Sequence, residues 1–168
     1  MVVICVGLKV RYFLIINVIT KEASMAINFL CPTHRNWVYF HPQEALSELE
    51  QTQQQGELLM KKQDWPEACT FLGCAFETIE ILMQLQGGTK SFLLGRLTVL
   101  ASMLSHAFYQ QSEYEYQHQI ITQAKHKLQT AAQASLGNKP RLAYIQECIS
   151  TLKVETPILH SASSASIH

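Results

Sequence analysis

The chain has 168 residues and a mass of 19.0 kDa, and its 13 basic side chains balance 13 acidic ones. With 48% hydrophobic and 15% charged residues, the composition excludes a wholly disordered chain and is sufficient for one compact core. A neutral chain without a basic stripe lacks the electrostatic footprint of a nucleic-acid-binding protein, so we expect no nucleic-acid partner.

The apolar N-terminal segment, residues 1–24, is distinct from the rest of the chain. Residues 2–20 are almost entirely apolar but carry Lys9 and Arg11 in their middle. Central cations are costly in a membrane-spanning helix, and a signal peptide carries its cations before its apolar run. Three interpretations stay open: an extension outside the fold with Met25 as the true start, a membrane anchor, and a signal peptide.

The odd number and irregular spacing of the cysteines indicate free thiols rather than a disulfide framework. Cys69 and Cys74 are five residues apart, so on a helix they point in different directions and cannot bind one metal ion together. Free buried thiols favour a cytoplasmic location. The five cysteines are Cys5, Cys31, Cys69, Cys74 and Cys148.

The body of the chain, residues 43–155, has helical periodicity interrupted by short breaks, which predicts an all-α fold of about five helices. Residues 25–42 form an irregular lead-in, and residues 156–168 are expected to be a disordered tail. The third helix has so wide an apolar arc that we expect it to be central. The five helices are expected over about 43–62, 64–86, 89–110, from 112 to beyond 131, and 140–153.

Two pairs of residues have the spacing of a capping box. Asp64 with Glu67, and Ser112 with Glu115, each place a short polar side chain three residues before a glutamate. We therefore expect these side chains to cap the second and fourth helices. The pair Gly87-Gly88 is expected to end the second helix.

A set of small and turn residues in the first two helices has the order of a known repeat. The set comprises Gly56, Leu59, the turn Gln63-Asp64-Trp65, Ala68, Leu72 and Ala75. It resembles the tetratricopeptide repeat (TPR) family, in which small residues let two antiparallel helices approach closely. The resemblance implies antiparallel helical hairpins.

A weaker second copy follows 49 residues later, against a family period of about 34. Its residues are Ser105, Phe108, Glu113, Tyr114, Ile121 and Ala124, while Gln117 stands where the first copy has Ala68. The resemblance covers about residues 43–133. The fifth helix is then expected to cap the exposed end of the repeats.

No catalytic or cofactor motif is recognisable in the sequence, so we expect a protein that is not an enzyme and has no cofactor. Cys31, His34 and His41 form a loose trio, but a fourth zinc ligand is missing and no metal site is predicted. Glu77 and Glu80 lie one turn apart, which is explained by a solvated helix face.

The resemblance implies that the first helix of each hairpin lines a groove for a peptide or a partner helix. The predicted function is therefore a cytoplasmic protein-interaction module, an adaptor or a chaperone-like scaffold with a protein or peptide partner. The alternatives are a membrane-tethered scaffold anchored by residues 2–20 and an enzyme of unrecognised helical type. The expected partner-binding residues are Gln53, Glu57, Met60, Lys61, Ser102, His106 and Tyr109.

Overall fold

The computed structural model describes residues 27–86 and 90–153, and over these residues the chain is all-α, as predicted. The described residues form six helices and no strand. The predictions for residues 1–24, for Gly87-Gly88 and for the tail 156–168 lie outside the described residues. The helices are α1 (Pro32–Phe40), α2 (Pro42–Lys61), α3 (Trp65–Leu85), α4 (Ser91–Gln110), α5 (Tyr114–Gln133) and α6 (Lys139–Thr151).

Helix α1 lies inside residues 25–42, so the prediction that this whole lead-in is irregular is wrong. Pro32 is in the first turn of α1, where a proline needs no hydrogen bond, and Val38 is its one fully buried residue. A nine-residue helix with one buried side chain shows almost no periodicity, which is why the sequence pattern missed it. Before α1, residues 27–31 lie against the outer side of α3. From here on, the lead-in means these residues 27–31 alone.

The close approach of this extended segment depends on a glycine. The Phe29 ring lies against Gly73 of α3, in the space that a Cβ atom at this position would occupy. The Cys74 thiol also contacts the Phe29 carbonyl oxygen, at 3.8 Å. Gly73 therefore lets the segment lie directly on the helix.

The turns between paired helices are closed by backbone hydrogen bonds, and neither predicted capping box forms. Asp64 occupies the N-cap of α3 without a side-chain cap bond, and the N-cap of α5 is Glu113 rather than Ser112. Gln63 and Ser112 instead adopt left-handed conformations, with φ of 60° and 61°. Each follows the C-cap residue of its helix, Lys62 or Gln111. Ser112 was therefore assigned to the wrong helix end, whereas Asp64 is at the N-cap position as predicted.

The two hairpins, α2–α3 and α4–α5, share one register. Helix α2 spans 42–61 and α4 spans 91–110, while α3 begins at 65 and α5 at 114. In each turn an amide donates to the carbonyl five residues earlier, Asp64 to Leu59 and Glu113 to Phe108, both at 3.0 Å. The helix starts and the turn hydrogen bonds therefore recur with an offset of 49 residues.

Helices α2, α4 and α6 form the first of two layers and run in the same direction. Arg96 of α4 pairs with Glu50 of α2 at 3.9 Å, and Arg141 of α6 donates to the Ser91 hydroxyl of α4 at 3.4 Å. Helices α1, α3 and α5 form the second layer, in which α3 is the middle helix. The hydrophobic core lies between the layers.

Two of the core helices, Trp65–Leu85 and Ser91–Gln110, are long and apolar enough to cross a membrane by length and composition alone. More than half of the apolar window in each is buried inside the protein. In α3 every residue from 75 to 83 is buried, and α4 buries its leucines against α3 and α5. The expected central position of α4 is confirmed, and α3 is at least as central.

Helix α6 ends the first layer with a polar side. Glu147 of α6 is exposed at the position where α2 has the buried Leu49 and α4 has the buried Thr98. The side chain of Asn138 caps α6 by accepting a hydrogen bond from the Arg141 amide at 3.1 Å. A helix with this polarity needs no further helix packed against it.

Candidate functional site

The exposed side of α2, α4 and α6, which we call the first-layer face, carries an apolar stripe. On α4, Phe92 is 50% exposed and Val99 48% exposed, and His106 follows in line. These residues are spaced by seven, which is close to two helical turns, so they lie on one side of α4 over about 21 Å. Met103 fills the stripe between Val99 and His106 and packs partly against the core.

The α2 edge of the first-layer face is polar. Gln53 donates to the Glu57 carboxylate at 2.8 Å, and both side chains are half-buried, as is Met60. The Gln53 side-chain oxygen is buried and accepts no hydrogen bond. Lys61 is exposed at the end of the helix. All four α2 residues predicted to bind a partner therefore lie on one edge of this face.

The three predicted residues of α4 are half-buried and differ in their surroundings. His106 contacts Trp65 edge-to-face, with ring centroids 5.7 Å apart, so Trp65 links the α2–α3 turn to α4. Tyr109 contacts Tyr114 at the start of α5, with centroids 5.8 Å apart, and is turned towards the second layer. Ser102 lies on the flank of the stripe. The structure places His106 against Trp65 at the start of α3 and Tyr109 against Tyr114 at the start of α5.

Several residues of the first-layer face were missed by the sequence analysis. Phe92 and Val99 were not among the predicted partner-binding residues, although their spacing of seven with His106 could have separated them from the core. Tyr144 of α6 lies with its hydroxyl against Gly95 of α4, which no local pattern could reveal.

On the opposite surface, Glu77 fastens the extended lead-in to α3. Its carboxylate accepts hydrogen bonds from the backbone amides of Phe29 at 2.6 Å and Leu30 at 2.7 Å. Arg35 of α1 adds a bond from Nε at 2.7 Å and an ion pair through Nη2. The interpretation of Glu77 and Glu80 as a solvated face is wrong, because the two residues are only 5% and 6% exposed.

Glu80, one turn further along α3, is held more loosely. Gln123 of α5 donates to its Oε2 at 2.7 Å, and the Lys127 ammonium is 3.8 Å from its Oε1. Burial raises the pKa of the Glu80 carboxyl above its ordinary value. The Oε1 atoms of Glu80 and Gln123 are both buried and accept no hydrogen bond.

These two side chains line a pocket of about 220 Å³ between α1, α3 and α5. Arg35 and Tyr39 of α1 form one wall, and Lys127 forms another. Tyr39 donates to the Gln84 side-chain oxygen at 3.2 Å. We call this space the outer pocket.

The thiols and histidines of the described residues do not assemble a metal centre. Cys31 and His34 are in contact, with Sγ and Nδ1 3.1 Å apart, but no group of three potential ligands that could hold a metal ion occurs in 27–86 or 90–153. Burial raises the pKa of the Cys69 and Cys74 thiols to about 12 each. These two free thiols therefore remain protonated near neutral pH and are poor nucleophiles.

Comparison of the chain with protein-family models, with curated proteins and with solved structures gives no match. The first-layer face and the outer pocket are the two surfaces of the described residues that bear on function.

Proposed function

We propose that the protein is a TPR-like interaction module that binds a peptide or a partner helix on the first-layer face. The observation that carries the proposal is the α4 stripe, in which Phe92 and Val99 are about half exposed in line with His106. Large apolar side chains aligned on one exposed helix side are typical of surfaces that bind other proteins. The partner is a protein segment of matching amphipathic character.

The repeat architecture supports the same proposal. Two hairpins in one register place α2 and α4 side by side, and the Glu50–Arg96 ion pair connects them. In a repeat array of this kind the corresponding helices of successive units form one continuous surface. A segment bound along α4 would also contact α2 on one side and Tyr144 of α6 on the other.

The chemistry of the face specifies what the bound segment would offer. Its apolar residues would cover Phe92 and Val99, because burying these side chains gains the most free energy. Its polar residues would meet the half-buried side chains of Glu57 and Gln53. An amphipathic helix with apolar anchors spaced by three or four residues fits both requirements. The protonated free thiols of the core favour the reducing cytoplasm as the site of action.

Site-specific photo-crosslinking in living cells tests the proposal. A crosslinker at Val99 is expected to capture a distinct protein, whereas one at His126, exposed on the second layer, is not. The captured protein is then purified and its affinity measured against Phe92→Ser, Glu57→Lys and His106→Ala. We expect Phe92→Ser to weaken binding about tenfold or more, since it removes a central apolar anchor.

The matched control is Leu136→Ser, which removes an exposed apolar side chain in the loop before α6 and away from the α4 stripe. It is expected to leave the affinity unchanged. Equal capture from positions 99 and 126, or equal affinity of all the variants, would show that the first-layer face does not bind the partner.

A further inference from the structure

We propose that the outer pocket binds a small organic cation through its N–H donors, an ammonium or a guanidinium group. The proposal is independent of the function proposed for the first-layer face, because the pocket lies between the helices of the second layer. It depends on Glu80 and Gln123, which line the pocket and each carry a buried side-chain oxygen without a hydrogen-bond donor.

Glu80 and Gln123 each have a side-chain oxygen without a hydrogen-bond donor. Glu80 is 6% exposed, and Gln123 satisfies only one of its two oxygens. The second oxygen of Glu80 and the amide oxygen of Gln123 are buried without a hydrogen-bond donor. A buried acceptor without a donor is costly, and two acceptors beside one pocket are best satisfied by a ligand with several donors.

The two carboxylates beside the pocket, Glu77 and Glu80, differ in how their charges are paired. Glu77 forms hydrogen bonds and an ion pair with Arg35, whereas the ion-pair partner of Glu80 is Lys127, with the ammonium 3.8 Å away; Arg35 and Glu77 act on Glu80 as further charges of opposite sign. The Lys127 side chain is 28% exposed and can turn towards solvent. The negative charge available to a ligand in the pocket is therefore that of Glu80.

The unpaired acceptors favour a cation over the other ligand classes. An anion would meet the lone pairs of Glu80 and Gln123, and the two cations of the pocket, Arg35 and Lys127, are already paired with Glu77 and Glu80. A metal ion would find one carboxylate and one amide oxygen, and the described residues hold no group of three ligands that suits a metal. An N–H cation forms charge-assisted hydrogen bonds with the carboxylate and a neutral one with the amide.

The size and walls of the pocket fit such a group. A volume of about 220 Å³ accepts a guanidinium or ammonium head with a short alkyl chain. Tyr39 of α1 stands at the wall and is partly exposed, so its ring face can contact the cation or its alkyl chain. Ile81 of α3 supplies an apolar contact.

Calorimetric titration of the full-length protein with matched probes tests the proposal. The probes are butylguanidinium, tetramethylammonium, which is a cation without N–H donors, and butylurea, which has donors without charge. We expect butylguanidinium to bind at least about tenfold more tightly than either of the other two. Binding should strengthen as pH rises through the titration of Glu80, which is faced by Arg35 of α1, Glu77 of α3 and Lys127 of α5.

Two variants and two controls make the result specific. Glu80→Gln and Gln123→Met are expected to weaken butylguanidinium binding at least about tenfold, with helicity retained by circular dichroism. Glu115→Gln and Gln129→Met change exposed residues of α5 and are expected to have no effect. A Gln123→Met protein that binds as well as the natural sequence overturns the proposal, and so does the absence of saturable binding by butylguanidinium.

A free metabolite and an arginine side chain of another protein share this chemistry. Agmatine and N-acetylarginine methylamide distinguish them, because only the second carries a peptide backbone beside the guanidinium. Tighter binding of agmatine assigns the pocket to a free cation, and equal or tighter binding of the arginine derivative assigns it to a protein side chain. If neither probe binds, the pocket is not a cation site.

Discussion

The two hairpins have the same backbone register but different outer surfaces. Glu77 and Glu80 of α3 are buried, whereas His126 and Gln129, 49 residues later on α5, are exposed. The difference arises because the lead-in and α1 cover α3 and leave the corresponding side of α5 open. A repeat fixes helix bounds and turns, but the chemistry tolerated on the outside depends on what covers each unit.

At the inner positions, by contrast, the exposure of equivalent residues is the same in both hairpins. Ala68 of α3 and Gln117 of α5 occupy the same repeat position and are 0% and 1% exposed. Burial is therefore equal although the side chains differ greatly in size and polarity. The first hairpin accommodates a small side chain at this point, and the second a longer one.

The largest expected effect comes from removing the carboxylate that holds the lead-in. Glu77→Ala leaves the Arg35 charge and the amides of Phe29 and Leu30 without their acceptor, and should lower the free energy of unfolding by about 3 kcal/mol. His126→Ala, at the equivalent position of α5, should change it by less than about 0.5 kcal/mol. Urea denaturation of both variants measures the difference, and equal losses would show that the lead-in does not depend on Glu77.

The next effect tests the close contact inside the first hairpin. Ala68→Leu should overpack the α2–α3 interface and lower the free energy of unfolding by about 1–3 kcal/mol. The control is Ala143→Leu on the exposed side of α6, which should be neutral within about 0.5 kcal/mol. Thermal denaturation of both variants measures the effect. A neutral Ala68→Leu would mean that α2 and α3 do not meet at this residue.

A smaller effect tests whether the two turns are equivalent. Gln63→Gly and Ser112→Gly relieve a left-handed backbone conformation and should each raise the free energy of unfolding by about 0.5–1 kcal/mol. Gln129→Gly, in the middle of α5, should lower it by about 1 kcal/mol. Chemical denaturation gives the three values, and clearly unequal gains at the two turns would break the equivalence.

The smallest effect is a pH dependence confined to the first hairpin. Because the pKa of Glu80 is raised in the folded protein, the folded state binds its proton more tightly than the unfolded state does. The contribution of Glu80 to stability is therefore most favourable below the unfolded pKa, near 4.5, and falls as pH rises through the folded pKa.

Glu80→Gln should remove this decline, while the exposed substitution Glu115→Gln should leave it in place. Melting temperatures recorded from pH 4 to pH 8 compare the two. If the pH profiles of the two variants coincide, Glu80 does not titrate in a buried environment.

The sequence allowed the helices of both hairpins to be placed within about two residues, because their periodicity and breaks are local features. The small residue Gly56 was also interpreted correctly, since a Cβ atom there would lie 2.7 Å from the Leu72 side chain. The surroundings of Glu77 could not be predicted, because its partner amides are 47 and 48 residues away. Local spacing also could not reveal that Ser112 ends one helix instead of capping the next.

The shared register of the hairpins has a consequence for how this chain can be lengthened. Residues 42–90 begin and end at equivalent points of the fold, so a duplicate of this unit can be inserted without altering the direction of the chain. Helix α6, with its exposed Glu147, would still be the last helix of the first layer. Glu77 of the first unit would still bind the amides of Phe29 and Leu30. The direction of the chain is therefore compatible with added units, whereas the outer side of each added α3 would lack the lead-in that covers Glu77 and Ile81 in the first unit.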